Sequence, residues 1–298
     1  MIPAITGPTG VGKTRVAVAL AKKINGEIIN ADSQSVYRYF KIGTSAPGKE
    51  FLRKVKHHFV NFYNPKKQFT VGDFVYLANK KIEEILKKGK IPIVCGGSAL
   101  YITALGEGIS LVPSSKKVRK ELEKKQLAEL LEELKRVDRK IYEKIDKKNP
   151  RRVIRAVEIY RLTGLPPSQA FEKKKIPGRE LKIFFLSYPR KVLYEKIDRR
   201  VGEMIKKGLV DEVKNILSKG ISPEAPAFKS VGYAEILEFL EGKISLDEAI
   251  KKIKFRTHNL ARKQIIWWRK KKVIEVDCLN KSPCEIAEKI KKILYNKK

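Results

Sequence analysis

The chain has 298 residues, with 66 Lys+Arg against 33 Asp+Glu for a formal net charge of +33; it is 42% hydrophobic and 33% charged. This composition excludes a disordered or collagen-like chain, and the length suffices for one large or two small domains whose core needs no covalent staples. A twofold excess of bases points to a polyanionic partner, since a heat-adapted surface would carry the two signs in balance.

No apolar run approaches the ~18 residues of a membrane helix. The opening Met1-Ile2-Pro3-Ala4-Ile5-Thr6 lacks the basic lead and long apolar stretch of a secretory signal. Cys95, Cys278 and Cys284 show no Cys-x-x-Cys spacing, which argues against a disulfide framework or zinc site. The expectation is a cytoplasmic monomer.

In chain order, Ile2–Thr6 reads as a short buried strand and Lys13–Ile24 as the helix directly after it. Glu27–Ala31 is the second strand. Thr70-Val71-Gly72-Asp73 is an N-cap signal for a helix running to about Lys88, stopped by Gly89. Ile91–Cys95 is the third strand. From Pro113 to Gly178 the pattern is helical, with Leu127, Leu130, Leu131 and Leu134 on one helix and Val153, Ile154, Val157 and Ile159 on another. Pro166-Pro167 and Pro177-Gly178 punctuate the end of that stretch. Lys182–Ser187 and Val273–Val276 complete the strands. Between them the capping box Ser245-Leu246-Asp247-Glu248 opens a long helix with Leu246, Ile250, Ile253, Leu260 and Trp267 at its apolar positions. Short buried strands alternating with helices predict an α/β fold, a phosphate-loop-type parallel sheet flanked by helices. The expected organisation is a core in residues 1–113, a basic all-helical insertion in 114–180, and the rest of the core with basic C-terminal helices in 181–298.

The charge is uneven. Residues 114–180 hold 21 Lys/Arg against 11 Asp/Glu, and 251–272 hold ten bases and no acid, interleaved with Phe255, Trp267 and Trp268. Bases among aromatics suit phosphate contact with base stacking. On an amphipathic helix the aromatics are expected in the core, and the bases outside it.

Gly7-Pro8-Thr9-Gly10-Val11-Gly12-Lys13-Thr14 matches the phosphate-binding pattern G-x-x-x-x-G-K-[ST], after a strand and opening a helix. Gly7, Gly10 and Gly12 let backbone amides, including those of Thr9 and Val11, turn toward phosphate oxygens, and the helix N-terminus adds positive potential. Lys13 would neutralise a phosphate, and the Thr14 hydroxyl is placed to ligate Mg²⁺. Proteins with this loop that use a nucleoside triphosphate usually carry a second carboxylate at another strand end. Here Ile91–Cys95 runs into Gly96-Gly97-Ser98 and Lys182–Ser187 into Tyr188-Pro189, so Asp32 is the one strand-end carboxylate. It is placed for general-base work on an acceptor beside a phosphorylated donor, or for forming a turn before Ser33. The loop alone also fits a small kinase, or an RNA-binding switch governed by nucleotide.

Further blocks narrow this. They are Asp32-Ser33-Gln34-Ser35-Val36-Tyr37, Ile42-Gly43-Thr44 with Pro47, His57-His58, Phe69 to Phe74, Pro92-Ile93-Val94 into Gly96 to Tyr101, Arg151 to Ala156, Gly208 to Glu212, Val231-Gly232-Tyr233, and Leu260 to Trp267. With the phosphate loop they are collinear over nearly the whole chain, and together they resemble the tRNA dimethylallyltransferases, also called tRNA isopentenyltransferases. The resemblance implies transfer of a dimethylallyl group from dimethylallyl diphosphate to the exocyclic amine of the adenine 3′ of the anticodon, in tRNAs reading U-initial codons. It implies Asp32 as general base, and Lys229 joining the loop at the diphosphate. By the same resemblance Asp32, Ser33, Gln34, Ser35 and Ser98 line the channel for the extruded base. Arg119, Arg151, Arg152, Arg155, Lys229, Gly232, Tyr233, Arg262, Lys263, Gln264, Trp267 and Arg269 match tRNA-contacting positions. Ser35, Ser98, His258 and Ile266 depart from the residues common in that family, and His57-His58 is expected as a structural pair with no third ligand for a metal.

Overall fold

The computed structural model describes residues 1–173 and 175–296. Lys174 of the insertion and the Lys297-Lys298 end of the lysine-rich tail lie outside the described residues. The chain forms two compact units, Met1–Gly106 with Arg179–Lys298, and Glu107–Gly178.

The strands are β1 (Ile2–Thr6), β2 (Gly26–Asn30), β3 (His57–His58), β4 (Ile91–Cys95), β5 (Ile109–Ser110), β6 (Lys175–Ile176), β7 (Leu181–Ser187) and β8 (Ile274–Asp277). The helices are α1 (Lys13–Lys23), α2 (Lys49–Leu52), α3 (Val71–Lys87), α4 (Ala99–Glu107), α5 (Lys116–Leu122), α6 (Leu127–Val137), α7 (Arg139–Lys144), α8 (Pro150–Thr163), α9 (Pro167–Lys173), α10 (Arg190–Lys206), α11 (Leu209–Ser218), α12 (Tyr233–Leu240), α13 (Leu246–Arg269) and α14 (Pro283–Tyr295).

In the first unit the sheet runs β3-β2-β4-β1-β7-β8, and every neighbouring pair is parallel. All five residues of β1 are buried, as a central strand covered on both faces requires. The order reverses direction at β1, where the chain first moves toward β2 and later returns to β7 on the other side. That reversal opens a crevice at the carboxyl ends of the strands. The five expected strands occur within a residue of their expected bounds. Helix α3 starts on a capping box, in which the Thr70 side chain accepts from Asp73 N and Asp73 Oδ2 accepts from Thr70 N at 2.8 Å. Ser245 and Glu248 do the same for α13.

Strand β3 has only two residues, too few for a readable pattern. Its His58 Nε2 lies 2.7 Å from an oxygen of Glu27, whose other oxygen accepts from Lys90 Nζ at 2.9 Å. Burial pushes the Glu27 carboxyl up, but the bonds from Lys90 and His58 outweigh it and hold it at about 2. Burial also lowers His58. The Glu27 carboxylate thus bridges His58 and Lys90 at the edge of the sheet. Among the described residues no group of three or more His, Cys, Asp or Glu could hold a metal ion, and no helix is long and apolar enough to cross a membrane.

Helix α13 buries Ala249, Ile253, Ala261 and Trp268, so its inward seam is set partly by small residues that let neighbouring helices approach. Leu260, expected on that seam, is 40% exposed. The expectation that the aromatics of 251–272 are core holds for Trp268 but fails for Phe255, which is 67% exposed. Trp267 is half-buried, its indole N–H donating to Thr103 Oγ1 at 3.3 Å.

The second unit packs Leu122, Leu130, Leu134, Val153, Ala156 and Val157 into its own core. Asn149 caps α8, Pro150 occupies its first turn, and Gly164 ends it with φ +67°. The expectation that the insertion is all-helical is corrected by β5 and β6, an antiparallel pair joining Ile109 to Ile176 and Ser110 to Lys175. A two-residue ladder is too short to leave a period-2 pattern in the sequence.

Candidate active site

Three loops leave the carboxyl ends of the adjacent strands β1, β2 and β4: residues 7–14, 31–35 and 96–98. In the first, Gly7 has φ +147° and a Cβ there would lie 2.5 Å from the Leu186 carbonyl oxygen, so no side chain fits. Gly12 sits before α1 in the left-handed region at φ +91°. The first amides of α1 have no helical partner and point out of its N-terminus, as an anion site requires.

Lys13 Nζ donates to the carbonyls of Gly7 and Pro8 at 3.0 and 2.9 Å, folding the side chain back under the loop. Burial lowers its pKa to about 8, while the nearby Asp32 acts in the opposite direction. Arg200 reaches the same loop from α10, donating from Nη1 to Thr9 Oγ1 at 3.0 Å and from Nε to Ser45 Oγ at 2.8 Å. Burial lowers the Arg200 guanidinium too, again opposed by Asp32. Two partly desolvated cations thus face one carboxylate.

Asp32 uses its two oxygens differently. Oδ1 accepts from the amides of Gln34 and Ser35 at 2.9 and 3.1 Å, which shapes the turn. Oδ2 takes no hydrogen bond from the described residues. A Cβ placed on Gly97 would meet Lys13 Nζ at 3.6 Å and Asp32 Oδ2 at 3.8 Å, so both groups converge on one point. The turn-forming and proton-accepting readings of Asp32 are therefore compatible, one oxygen for each. Ser98 Oγ accepts from Ser33 N at 2.8 Å and ties the third loop to the second. Gln34 is half-buried, and its amide oxygen is buried without a donor. Ser35, expected to line the same channel, is instead buried at 3% exposure, where its hydroxyl accepts from Asn30 Nδ2 at 2.9 Å. Gln264 of α13 enters this site directly: Oε1 accepts from Thr9 N at 2.8 Å and Nε2 donates to the Gly97 carbonyl at 2.8 Å.

A family model described as IPP transferase matches residues 35–271. The chain belongs to the IPP transferase family. It is 40% identical over 298 residues to the tRNA dimethylallyltransferase of Acetivibrio thermocellus, covering 97% of this chain and 95% of that one. To the enzyme of that name from Caldicellulosiruptor saccharolyticus it is 42% identical over 274 residues, covering 89% and 88%. Among solved structures, the full-length tRNA isopentenylpyrophosphate transferase of Bacillus halodurans is 35% identical with a TM-score of 0.72, over 98% of this chain and 95% of that one. A eukaryotic dimethylallyltransferase acting on tRNA is 27% identical with a TM-score of 0.85, over 100% of this chain and 80% of that one.

The side chains expected to meet RNA fall into two groups. Arg262, Lys263 and Arg269 on α13, Lys229 before α12, and Arg151 on α8 are exposed, without an ion-pair partner among the described residues. Arg152, also exposed, lies 4.0 Å from Asp146. The others are committed inside the protein. Tyr233 is fully buried against Phe40 and Phe228, its hydroxyl donating to Glu212 and accepting from Gly43 N at 3.1 Å. Gly232 N donates to Glu235 Oε2 at 2.7 Å and opens α12 with φ +100°.

In the second unit the guanidiniums of Arg119 and Arg155 bind the fully buried Glu158 at 2.9 and 2.8 Å, and Arg155 also donates to the carbonyls of Pro113 and Val112. Burial pushes the Glu158 carboxyl up, but bonds from Arg155, Arg119 and the Ser115 amide hold it below its ordinary value. Glu158→Ala is expected to cost about 2 kcal/mol, less than for a wholly buried ion pair because Arg119 and Arg155 are both partly exposed and can rehydrate. Chemical denaturation would check it; a loss under about 1 kcal/mol would mean that the two arginines are not held by this carboxylate.

Arg200 has no local signature. Arg199-Arg200 within a helix reads as a solvated face, and only the fold brings α10 over the loop, where Ile197 would lie 2.9 Å from a Cβ on Gly10.

Proposed function

We propose that the protein moves a dimethylallyl group from dimethylallyl diphosphate to the exocyclic amine of the adenine 3′ of the anticodon, in tRNAs reading U-initial codons, and releases diphosphate. The observation that carries this reading is the convergence of Lys13 Nζ and the unbonded Asp32 Oδ2 on Gly97, a cation for the donor beside a base for the acceptor.

The allylic carbon–oxygen bond breaks with its electron pair going to the diphosphate. The amine nitrogen forms the new bond to carbon, and its proton passes to Asp32 Oδ2. An aryl amine is a weak nucleophile because its lone pair is delocalised, so a positioned base helps. Charge developing on the departing diphosphate meets Lys13, Arg200, Lys229 and the amides of Gly10, Gly12, Lys13 and Thr14; the amides of Thr9 and Val11, expected to join them, donate instead to Gln264 Oε1 and to the Pro8 carbonyl. The acceptor amine brings two N–H groups, and among the described residues Asp32 Oδ2 takes no hydrogen bond, its Oδ1 being held by the Gln34 and Ser35 amides.

A Mg²⁺ ion fits this donor set. The Thr14 hydroxyl at the start of α1 is one hard oxygen donor of the kind that suits a cation that keeps several waters and shares phosphate oxygens. When bound it would supply charge neutralisation at the diphosphate. The exposed bases of α13, with Lys229, Arg151 and Arg152, suit the tRNA backbone.

The test is transfer of radiolabelled dimethylallyl from its diphosphate to an anticodon stem-loop with three consecutive adenines, with Mg²⁺ and without ATP. The same loop with guanine at the target position serves as control. Label on the adenine loop alone is the expected result. No label on either, with ATP hydrolysis in a parallel reaction, would return the protein to the phosphate-loop nucleotide enzymes.

A further inference from the structure

Gln264 lies on the helix that carries Arg262, Lys263 and Arg269, yet its amide does not point to solvent. It spans two loops with both ends in use, Oε1 on the Thr9 amide and Nε2 on the Gly97 carbonyl, each at 2.8 Å. Thr9 belongs to the loop that cradles the diphosphate. Gly97 belongs to the loop that Ser98 ties to Ser33, beside Asp32. The loops come from different strand ends, and no described backbone hydrogen bond joins 7–14 to 97–98; Gly96 N bonds instead to Ile5 O within the sheet. A Cβ on Gly97 would lie 2.8 Å from Gln264 Nε2, so the glutamine is in close contact with the point where Lys13 and Asp32 converge.

We propose that Gln264 is a positioning residue that sets the register between the donor loop and the acceptor loop, and not primarily a contact for tRNA. This rests on the transfer reading above. A planar amide offers one acceptor and one donor at fixed separation, which suits a bond to a backbone N–H on one side and to a carbonyl on the other. Asparagine is one methylene shorter and cannot span the same gap. Glutamate can accept from Thr9 N but would set a carboxylate oxygen against the Gly97 carbonyl. Misplacing reacting groups by about 1 Å costs on the order of a hundredfold in rate.

The experiment compares Gln264→Ala, Gln264→Asn and Gln264→Glu with the unaltered protein, measuring kcat, KM for dimethylallyl diphosphate, KM for the anticodon stem-loop, the affinity for inorganic diphosphate, and Tm. The expected result is a fall in kcat of roughly a hundredfold for all three, with both KM values, diphosphate affinity and Tm little changed. Three outcomes would overturn the proposal: kcat within about threefold of the unaltered protein, a loss confined to KM for the stem-loop, or a parallel collapse of Tm and diphosphate affinity. The first would make Gln264 dispensable, the second a plain RNA contact, and the third a fold residue. Failure of the unaltered protein to label the stem-loop would instead overturn the transfer reading on which the proposal stands.

Discussion

Asp32→Asn is expected to lower the transfer rate by roughly 10²–10⁴-fold, the range for losing a general base, while affinities for diphosphate and for the anticodon stem-loop stay within about threefold. The two oxygens of Asp32 make this variant informative. Oδ1 holds the amides of Gln34 and Ser35, and an asparagine carbonyl can accept the same bonds. Oδ2 becomes an amide N–H₂ and can no longer take a proton. Asp32→Ala removes both functions, so it should lose transfer to the same extent and also lose about 1–2 kcal/mol of stability, from two amides left without their acceptor. Single-turnover transfer with each variant, beside equilibrium binding of each substrate, would check the division. Near-normal transfer by Asp32→Asn would remove Asp32 from the chemistry and leave it as a turn residue.

The parts of this site legible in the sequence are those where residue type and spacing each have a local physical reason. The phosphate loop is legible because Gly7 and Gly12 occupy backbone conformations closed to other residues, and because Lys13-Thr14 must open a helix directly after a strand. Asp32 is legible because a carboxylate just past a buried strand lies at the carboxyl edge of a parallel sheet, where ligands bind. Gln264 and Arg200 belong to the same few ångströms but arrive from helices far along the chain, and nothing near them in sequence says that α13 and α10 cross the loop. Tyr233 and Arg119 show what local sequence leaves out. An aromatic after Gly232 and an arginine in a basic segment both look available for RNA, yet Tyr233 is the hydroxyl partner of Glu212 and Arg119 neutralises Glu158. A buried carboxylate claims a cation through tertiary contact alone, and charge density along the chain does not reveal which bases it has taken. Phe255 differs from Trp268 for a similar reason. The inward seam of α13 runs through Ala249 and Ala261, small residues that an apolar-stripe reading passes over.

Lys13→Ala is expected to weaken diphosphate binding by roughly 10–100-fold, the worth of a hydrogen bond to a charged group, without lowering the Tm of the free protein. Both halves follow from where the ammonium lies. It is folded under the loop on the Gly7 and Pro8 carbonyls, and burial has lowered its pKa to about 8, so the unliganded protein holds a cation stripped of much of its water. An anion bound at the loop would supply the counter-charge that burial leaves short. Removing it should therefore cost the complex and spare the free chain. Calorimetric titration with inorganic diphosphate and a thermal melt of the free variant would check the two halves separately. A melt lowered by several degrees with binding unchanged would make Lys13 a strut for the loop instead of its charge. Set beside Asp32→Asn, the pair separates the roles: one variant should bind the donor and fail to transfer, the other should fail first at binding.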